Sequence, residues 1–181
     1  MQRVMVLDLE ATCWDGKPPS DQRPEIIEIG CVILETAPDK RWETLDKFSI
    51  LVKPKKSIVS RYCEELTGIT HKAVIDNGVE LEEAFDILKS ADCDIWVSWG
   101  DWDYNMIRQE AKYNGLKPWK YLPLAHLNLK ALFSAKYLTG RMGLSRALNH
   151  VGLPFLGTPH RGADDAENVA ELFKLIFNGG C

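Results

Sequence analysis

The chain has 181 residues, 45% hydrophobic and 27% charged, with a formal net charge of −4, which excludes a disordered or fibrous chain and allows one domain with a sizeable core. No apolar run approaches the ~20 residues that cross a bilayer, and the opening residues enter a strand pattern almost at once, so neither a membrane span nor a signal peptide is expected. Five cysteines (Cys13, Cys31, Cys63, Cys93 and Cys181) are scattered, odd in number and never in a CxxC pair, which argues against a zinc site or disulfide framework and for a reducing cytoplasm.

The first element, residues 4–12 (VMVLDLEAT), is an apolar run suited to a buried central strand, yet it carries Asp8 and Glu10. Side chains two apart on a strand share a face, roughly 6.5 Å apart. Two carboxylates there repel each other unless something cationic neutralises them. Residues 15–21 form a loop by their turn chemistry. A second strand is expected over 25–34 (EIIEIGCVIL) and a third over 47–53 (KFSILVK), joined as an antiparallel meander and stopped by Pro54. Glu28 falls inside the second strand, either supporting the neighbouring carboxylates or paired to backbone or a basic neighbour.

The pattern then turns helical. Ser60 is a plausible N-cap for a helix that stops at Gly68. Leu81, Ala84, Phe85 and Leu88 line one face of the next helix. Residues 94–99 (DIWVSW) read as a fourth strand and 103–114 as a helix ending before Gly115. Helical patterns follow over 127–138 and 144–151, then a Gly/Pro loop over 152–162, then a final helix over about 164–177. That helix carries Val169, Ala170, Phe173, Ile176 and Phe177 at helical spacing, and Asp164 with Glu167 resembles a capping box. No second hydrophobic core is evident. A single domain over residues 1–178 with a short tail at 179–181 is expected.

Charge is unevenly spread. From residue 108 to 146 there are eight positives (Arg108, Lys112, Lys117, Lys120, Lys130, Lys136, Arg141, Arg146) against Glu110 alone, a net of +7. Lys53, Lys55, Lys56 and Arg61 form a second cluster. Such segregation can track a phosphate backbone, where scattered lysines would be ordinary solvated surface.

Three places set acidic residues at a strand end or helix start: Asp8 with Glu10, Asp103, and Asp165. Asp103 could be an N-cap and Asp165 could favour the helix dipole, but caps do not occur inside strands. His160, five residues before Asp165, adds a side chain able to take a proton from an attacking water. His71, His126 and His150 read as surface residues.

These residues resemble the DEDDh group of 3′→5′ exonucleases, in three blocks that appear in order: 8-DLEAT-12 (D-x-E), 99-WGDWD-103, and His160-x4-Asp165 (H-x4-D). Within the group the chain is most similar to the histone-mRNA 3′-exonuclease or RNA-interference-enhancer type, through 8-DLEATC-13, 66-LTGIT-70, 102-WD-103 and 157-GTPHRGADD-165. A nuclease domain without the appended RNA-binding module of that type is expected.

The resemblance implies an α/β, RNase H-like (exonuclease) fold, a five-stranded mixed sheet flanked by helices. It implies that Asp8, Glu10, Asp103 and Asp165 hold two Mg²⁺ ions, with Mn²⁺ able to substitute, about 4 Å apart, and that His160 is the general base. It places Ala11, Thr12, Leu66 and Trp102 at the terminal nucleotide, the indole against its base and Ala11-Thr12 meeting it through backbone and side chain. The implied activity is removal of nucleoside 5′-monophosphates from the 3′ end of single-stranded RNA or of 3′ overhangs, with DNA as a second substrate class. The alternative is an idle nucleic-acid-binding or protein-interaction domain of the same fold.

Overall fold

The structure is a computed structural model that describes residues 1–179. In chain order its elements are β1 (Arg3–Ala11), β2 (Ile26–Thr36), β3 (Trp42–Leu51), α1 (Arg61–Thr67), α2 (His71–Asn77), α3 (Leu81–Ser90), β4 (Ile95–Ser98), α4 (Trp102–Tyr113), a 3-10 turn (Pro118–Lys120), β5 (His126–Asn128), α5 (Leu129–Lys136), α6 (Leu144–His150) and α7 (Gly162–Asn178). The sheet order is β3-β2-β1-β4-β5. β1, β2 and β3 form the expected antiparallel meander, and β4 and β5 run parallel to β1 on its other side. This is the five-stranded mixed sheet flanked by helices that the resemblance implies.

β1 is central because it is apolar on both faces. Met5, Leu7 and Leu9 pack with α3 and α4, whereas Val4 and Val6 pack with α5, α6 and α7. The expectation of one core therefore gives way to a core on each face of the sheet, since the period of two sends alternate apolar residues to opposite sides. A smaller cluster under α1 and α2 joins Ile27, Val59, Cys63, Ile69 and Val74. Leu81, Ala84, Phe85 and Leu88 are all buried, as their spacing predicts. The cap at Ser60 also forms, its hydroxyl accepting from the Cys63 N–H, and α1 ends at Gly68 with φ +70°.

Several expectations need correction. β3 starts at Trp42, five residues early, because an edge strand with one wet face can carry the charged residues Glu43, Asp46 and Lys47. It also stops at Leu51, and Val52 pairs with Val79 instead. The pattern expected as helix over 127–138 opens as strand, since Leu127 and Asn128 pair with Val97 and Ser98. The Asn128 side chain then caps α5 by accepting from the Ala131 N–H. Helix α2 has no counterpart among the expected elements. The Asp164–Glu167 capping box does not form: α7 begins two residues sooner, and both carboxylates turn onto Lys47 Nζ at 2.8 and 2.7 Å. Phe177 is exposed, although its ring still packs on Phe173 at 4.3 Å. Of the expected tail, Gly179 caps α7, and Gly180 and Cys181 lie outside the described residues. Among the described residues no helix is long and apolar enough to cross a membrane.

Candidate active site

The site forms where β1 outruns its neighbour. The parallel ladder between β1 and β4 ends at Val6 and Val97, so the later residues of β1 line an opening. The Leu9 N–H, left without a strand partner, donates to Asp103 Oδ1 at 3.1 Å. This answers the N-cap alternative for Asp103. The N-cap of α4 is Asp101, with no side-chain cap bond, while the buried Asp103 carboxylate reaches across to β1.

The final helix reaches the strand from the other side through two glycines. Gly30 lies opposite Asp8 in the β1–β2 ladder, and a Cβ there would overlap the Gly162 carbonyl carbon. A Cβ on Gly162 would stand 2.9 Å from the Gly30 nitrogen. Backbone thus packs on backbone, and the start of α7 settles beside Asp8. The buried Glu28 completes the joint. It accepts from the Gly162 N–H at 2.9 Å and the Ser49 hydroxyl at 2.5 Å, with Arg161 Nη2 at 3.5 Å. Glu28 is therefore paired to backbone and a basic neighbour, neutralising the exposed amides of a helix start.

That docking carries His160 and Asp165 to Glu10. Ligand atoms of Glu10, His160 and Asp165 all lie within 4.8 Å of one another. The exposed His160 has φ +63°, a conformation uncommon outside glycine, and its N–H donates to Asp165 Oδ2 at 2.7 Å.

Crowding shows in the titration of the four acids. Asp8 is pushed well above the usual carboxylate range by burial, then by the charges of Asp103, Asp165 and Glu10. Glu10 is pushed up to about 8 by burial, then by Asp165, Glu28 and Asp103. Burial raises Asp103 to about 6, with the Leu9 N–H offsetting part of the rise. Asp165 is also raised by burial, against the opposing pull of the His160 N–H. Half-buried carboxylates held together at such a cost suit a divalent cation, which favours oxygen ligands and relieves the repulsion. Of the five residues expected at the chemical centre, Glu10, His160 and Asp165 converge within 4.8 Å, and the charges of Asp8 and Asp103 act on the same group of carboxylates.

The expected substrate contacts divide. Trp102 is 52% exposed beside Asp103, so it is not a core tryptophan, and Leu66 is also exposed. Ala11 and Thr12 are buried. The Thr12 hydroxyl accepts from the Glu25 N–H at 3.0 Å and donates to the Arg23 carbonyl at 3.2 Å, so it braces the following loop. The histidines divide too. His150 is exposed, but His71 Nδ1 accepts from the Val59 N–H, and the half-buried His126 ring lies 4.1 Å from Trp96 with Nε2 2.9 Å from Ser98 Oγ. Both do structural work because strand and loop packing reaches them. One residue at the rim was absent from the expected set: Lys130, whose Nζ lies 6.0 Å from the Trp99 ring centre and lowers the Asp103 pKa. Its only sequence signal was membership of the basic run.

Comparison with known proteins agrees with this geometry. The exonuclease family (RNase T) matches residues 5–173. Mouse ERI1 exoribonuclease 2 is 32% identical over 205 residues, covering 98% of this chain and 29% of that protein. The 3'-5' exonuclease Snipper of Drosophila melanogaster is 28% identical, covering 97% of this chain and 70% of that protein. Among solved structures, the nuclease domain of 3'hExo, a DEDDh family member bound to rAMP, superposes with a TM-score of 0.84 at 28% identity, covering 99% of this chain and 94% of that one. The chain spans less than a third of the mouse protein. A divalent-metal-dependent family and an acidic cluster with a histidine agree in kind. The chain belongs to the DEDDh exonucleases of the RNase T family.

Proposed function

We propose that residues 1–178 form a single exonuclease domain that removes nucleoside 5′-monophosphates from the 3′ end of single-stranded RNA or of 3′ overhangs. The supporting observation is the convergence of Glu10, His160 and Asp165 within 4.8 Å, on a fold whose relatives are named as an exoribonuclease and a 3′-5′ exonuclease. A solved relative at 28% identity is described as recognising the 3′ end of a histone mRNA stem-loop.

Asp8, Glu10, Asp103 and Asp165 would hold two Mg²⁺ ions, with Mn²⁺ as a substitute. The chemistry supplied by such ions is Lewis acidity toward a water and toward the phosphoryl oxygens. The chain's own residues do the rest. His160 accepts the proton of the attacking water at a ring nitrogen, with its backbone pinned on Asp165. Asp103 is held in place by the Leu9 N–H, so its carboxylate stays oriented toward β1. The exposed Trp102 indole offers a flat face to the terminal base, a contact that tolerates any sequence. Leu66 would flank that base, and Ala11 would meet it through backbone only. The thiols of Cys13, Cys31, Cys63 and Cys93 suit a reducing cytoplasm.

End-labelled single-stranded RNA incubated with the protein and Mg²⁺ should yield a ladder that shortens from the 3′ end, and a chelator should stop it. Asp8→Ala and His160→Ala should each abolish the ladder. Its absence with the unaltered chain, or equal activity in the variants, overturns the reading. A matched single-stranded DNA sets the sugar preference.

A further inference from the structure

On the α3/α4 side of the sheet, apart from the opening that Asp8 and Glu10 line, lies a cavity of about 540 Å³ between α4 and the 3-10 turn at Pro118–Lys120. Tyr104 and Trp96 form part of its wall. They are backed by the His126 ring, which is stacked on Tyr104 at 4.9 Å and 4.1 Å from Trp96, so the aromatic surface is rigid. Arg108, Lys112 and Lys117 stand around it, and Trp119 is 60% exposed at its mouth.

Three features of this cavity are unexplained by the hydrolytic site. Tyr104, Arg108 and Lys112 follow at intervals of four and so share one face of α4. The Arg108 guanidinium lies 5.4 Å from the Tyr104 ring centre, and among the described residues neither Arg108, Lys112 nor Lys117 forms an ion pair. The chain is acidic overall, yet this basic run is confined to one region. Unpaired cations interleaved with aromatic faces match a polyanion that also carries flat rings. An acidic peptide would use the cations and leave the rings idle, and an apolar one would do the reverse.

The helix also supplies the route. It starts at the catalytic Asp103, and at ~1.5 Å per residue Lys112 lies about 14 Å further along it. We propose that this cavity holds an unpaired nucleotide of the substrate strand upstream of the scissile end, its base on Trp119 and Tyr104 and its flanking phosphates on Arg108, Lys112 and Lys117. The proposal rests on the exonuclease reading above and names the part of the chain that grips the strand away from the chemistry.

The test compares an oligouridylate dodecamer with a uridine dinucleotide, in Mg²⁺, for the unaltered protein, Trp119→Ala, Trp119→Phe and the double variant Lys112→Gln/Lys117→Gln. Trp119→Ala should raise KM for the dodecamer roughly tenfold at unchanged kcat, with the dinucleotide within about twofold. Trp119→Phe should restore most of the loss, because it keeps a stacking ring. The double variant should flatten the salt dependence of dodecamer binding by a slope of roughly 0.7 for each phosphate no longer neutralised. A dodecamer KM unaffected by Trp119→Ala, or equal losses on both substrates, overturns the proposal. Displacement of the dodecamer by oligoglutamate as readily as by unlabelled RNA does so too, since the cavity would then read charge alone. If the unaltered protein degrades neither strand, the exonuclease reading is what fails. Fluorescence anisotropy of the labelled dodecamer then decides the cavity: a tenfold weaker complex in Trp119→Ala supports it, and equal affinity overturns it.

Discussion

The molecule buries carboxylates in two places and treats them in opposite ways. Near the start of β2, Glu25 and Glu110 share one guanidinium: Arg23 Nη1 meets Glu25 at 2.9 Å and Nη2 meets Glu110 at 3.0 Å. Glu25 also accepts from the backbone N–H groups of Lys56 and Ser57 at 2.9 and 2.5 Å. Burial alone would raise it, but these bonds and Arg23 outweigh burial and hold it below the usual range. At the candidate active site no arginine among the described residues pairs with the four acids, and burial raises them all, with repulsion from one another adding at Asp8, Glu10 and Asp103. The same side-chain type is a brace where its cation is built in and a candidate metal ligand where its cation is left out.

The sharpest break between the regions is Asp8→Asn. It should lower kcat by roughly a thousandfold or more, since it removes charge where the transition state is stabilised. It should also leave metal-free thermal stability level or raised, because a repulsive partner is gone. Thermal melts beside single-turnover digestion check both halves, and a strongly destabilised variant would place Asp8 with the braces.

In the paired region the reverse is expected. Arg23→Ala strands Glu25 and Glu110 without their cation and should cost about 3 kcal/mol in urea unfolding, with kcat on surviving folded protein nearly unchanged. Loss of activity without loss of stability would merge the two regions into one functional unit.

pH separates them next. In metal-free protein Glu10 is raised from 4.5 to about 8, so the folded state keeps a proton that the unfolded chain releases. Its contribution is complete below 4.5 and is lost as pH rises through about 8. Glu110, raised to about 7 by burial, has the same sign, whereas the lowered Glu25 supports the fold above its ordinary pKa and loses that support in acid. The midpoint of unfolding should therefore fall from pH 5 to pH 8 without metal. Mn²⁺ should remove the Glu10 share and leave that of Glu110, so a slope unaffected by Mn²⁺ would deny the metal site. The smallest effect is expected from Glu28→Gln, about 1 kcal/mol from weakened capping of α7, read by chemical denaturation.

How much of this was legible in the sequence follows from range. β1 could be read because two acids inside an apolar alternation conflict with burial, and α7 because its apolar residues recur at helical spacing over many turns. β5 could not, since three residues carry no period and their strand character comes from pairing with Val97 and Ser98. The Asp103 bond to the Leu9 amide depends on β4 stopping short, a fact about a neighbour and not about either residue. Likewise nothing in the sequence near Thr12 shows that its hydroxyl bonds Glu25 and Arg23, brought back by the following loop. The cavity beside α4 left only the excess of lysine and arginine as its trace.

The glycine-to-glycine seat of α7 has a consequence for how the protein is made. Asp8 and Glu10 precede His160 and Asp165 by about 150 residues along the chain, and the two pairs are joined only when Gly162 reaches Gly30. Synthesis runs from the N-terminus, so a nascent chain that has not reached residue 160 holds at most three of the four acids and lacks the histidine. The full set of acids and histidine therefore comes together only once α7 has docked on the strand.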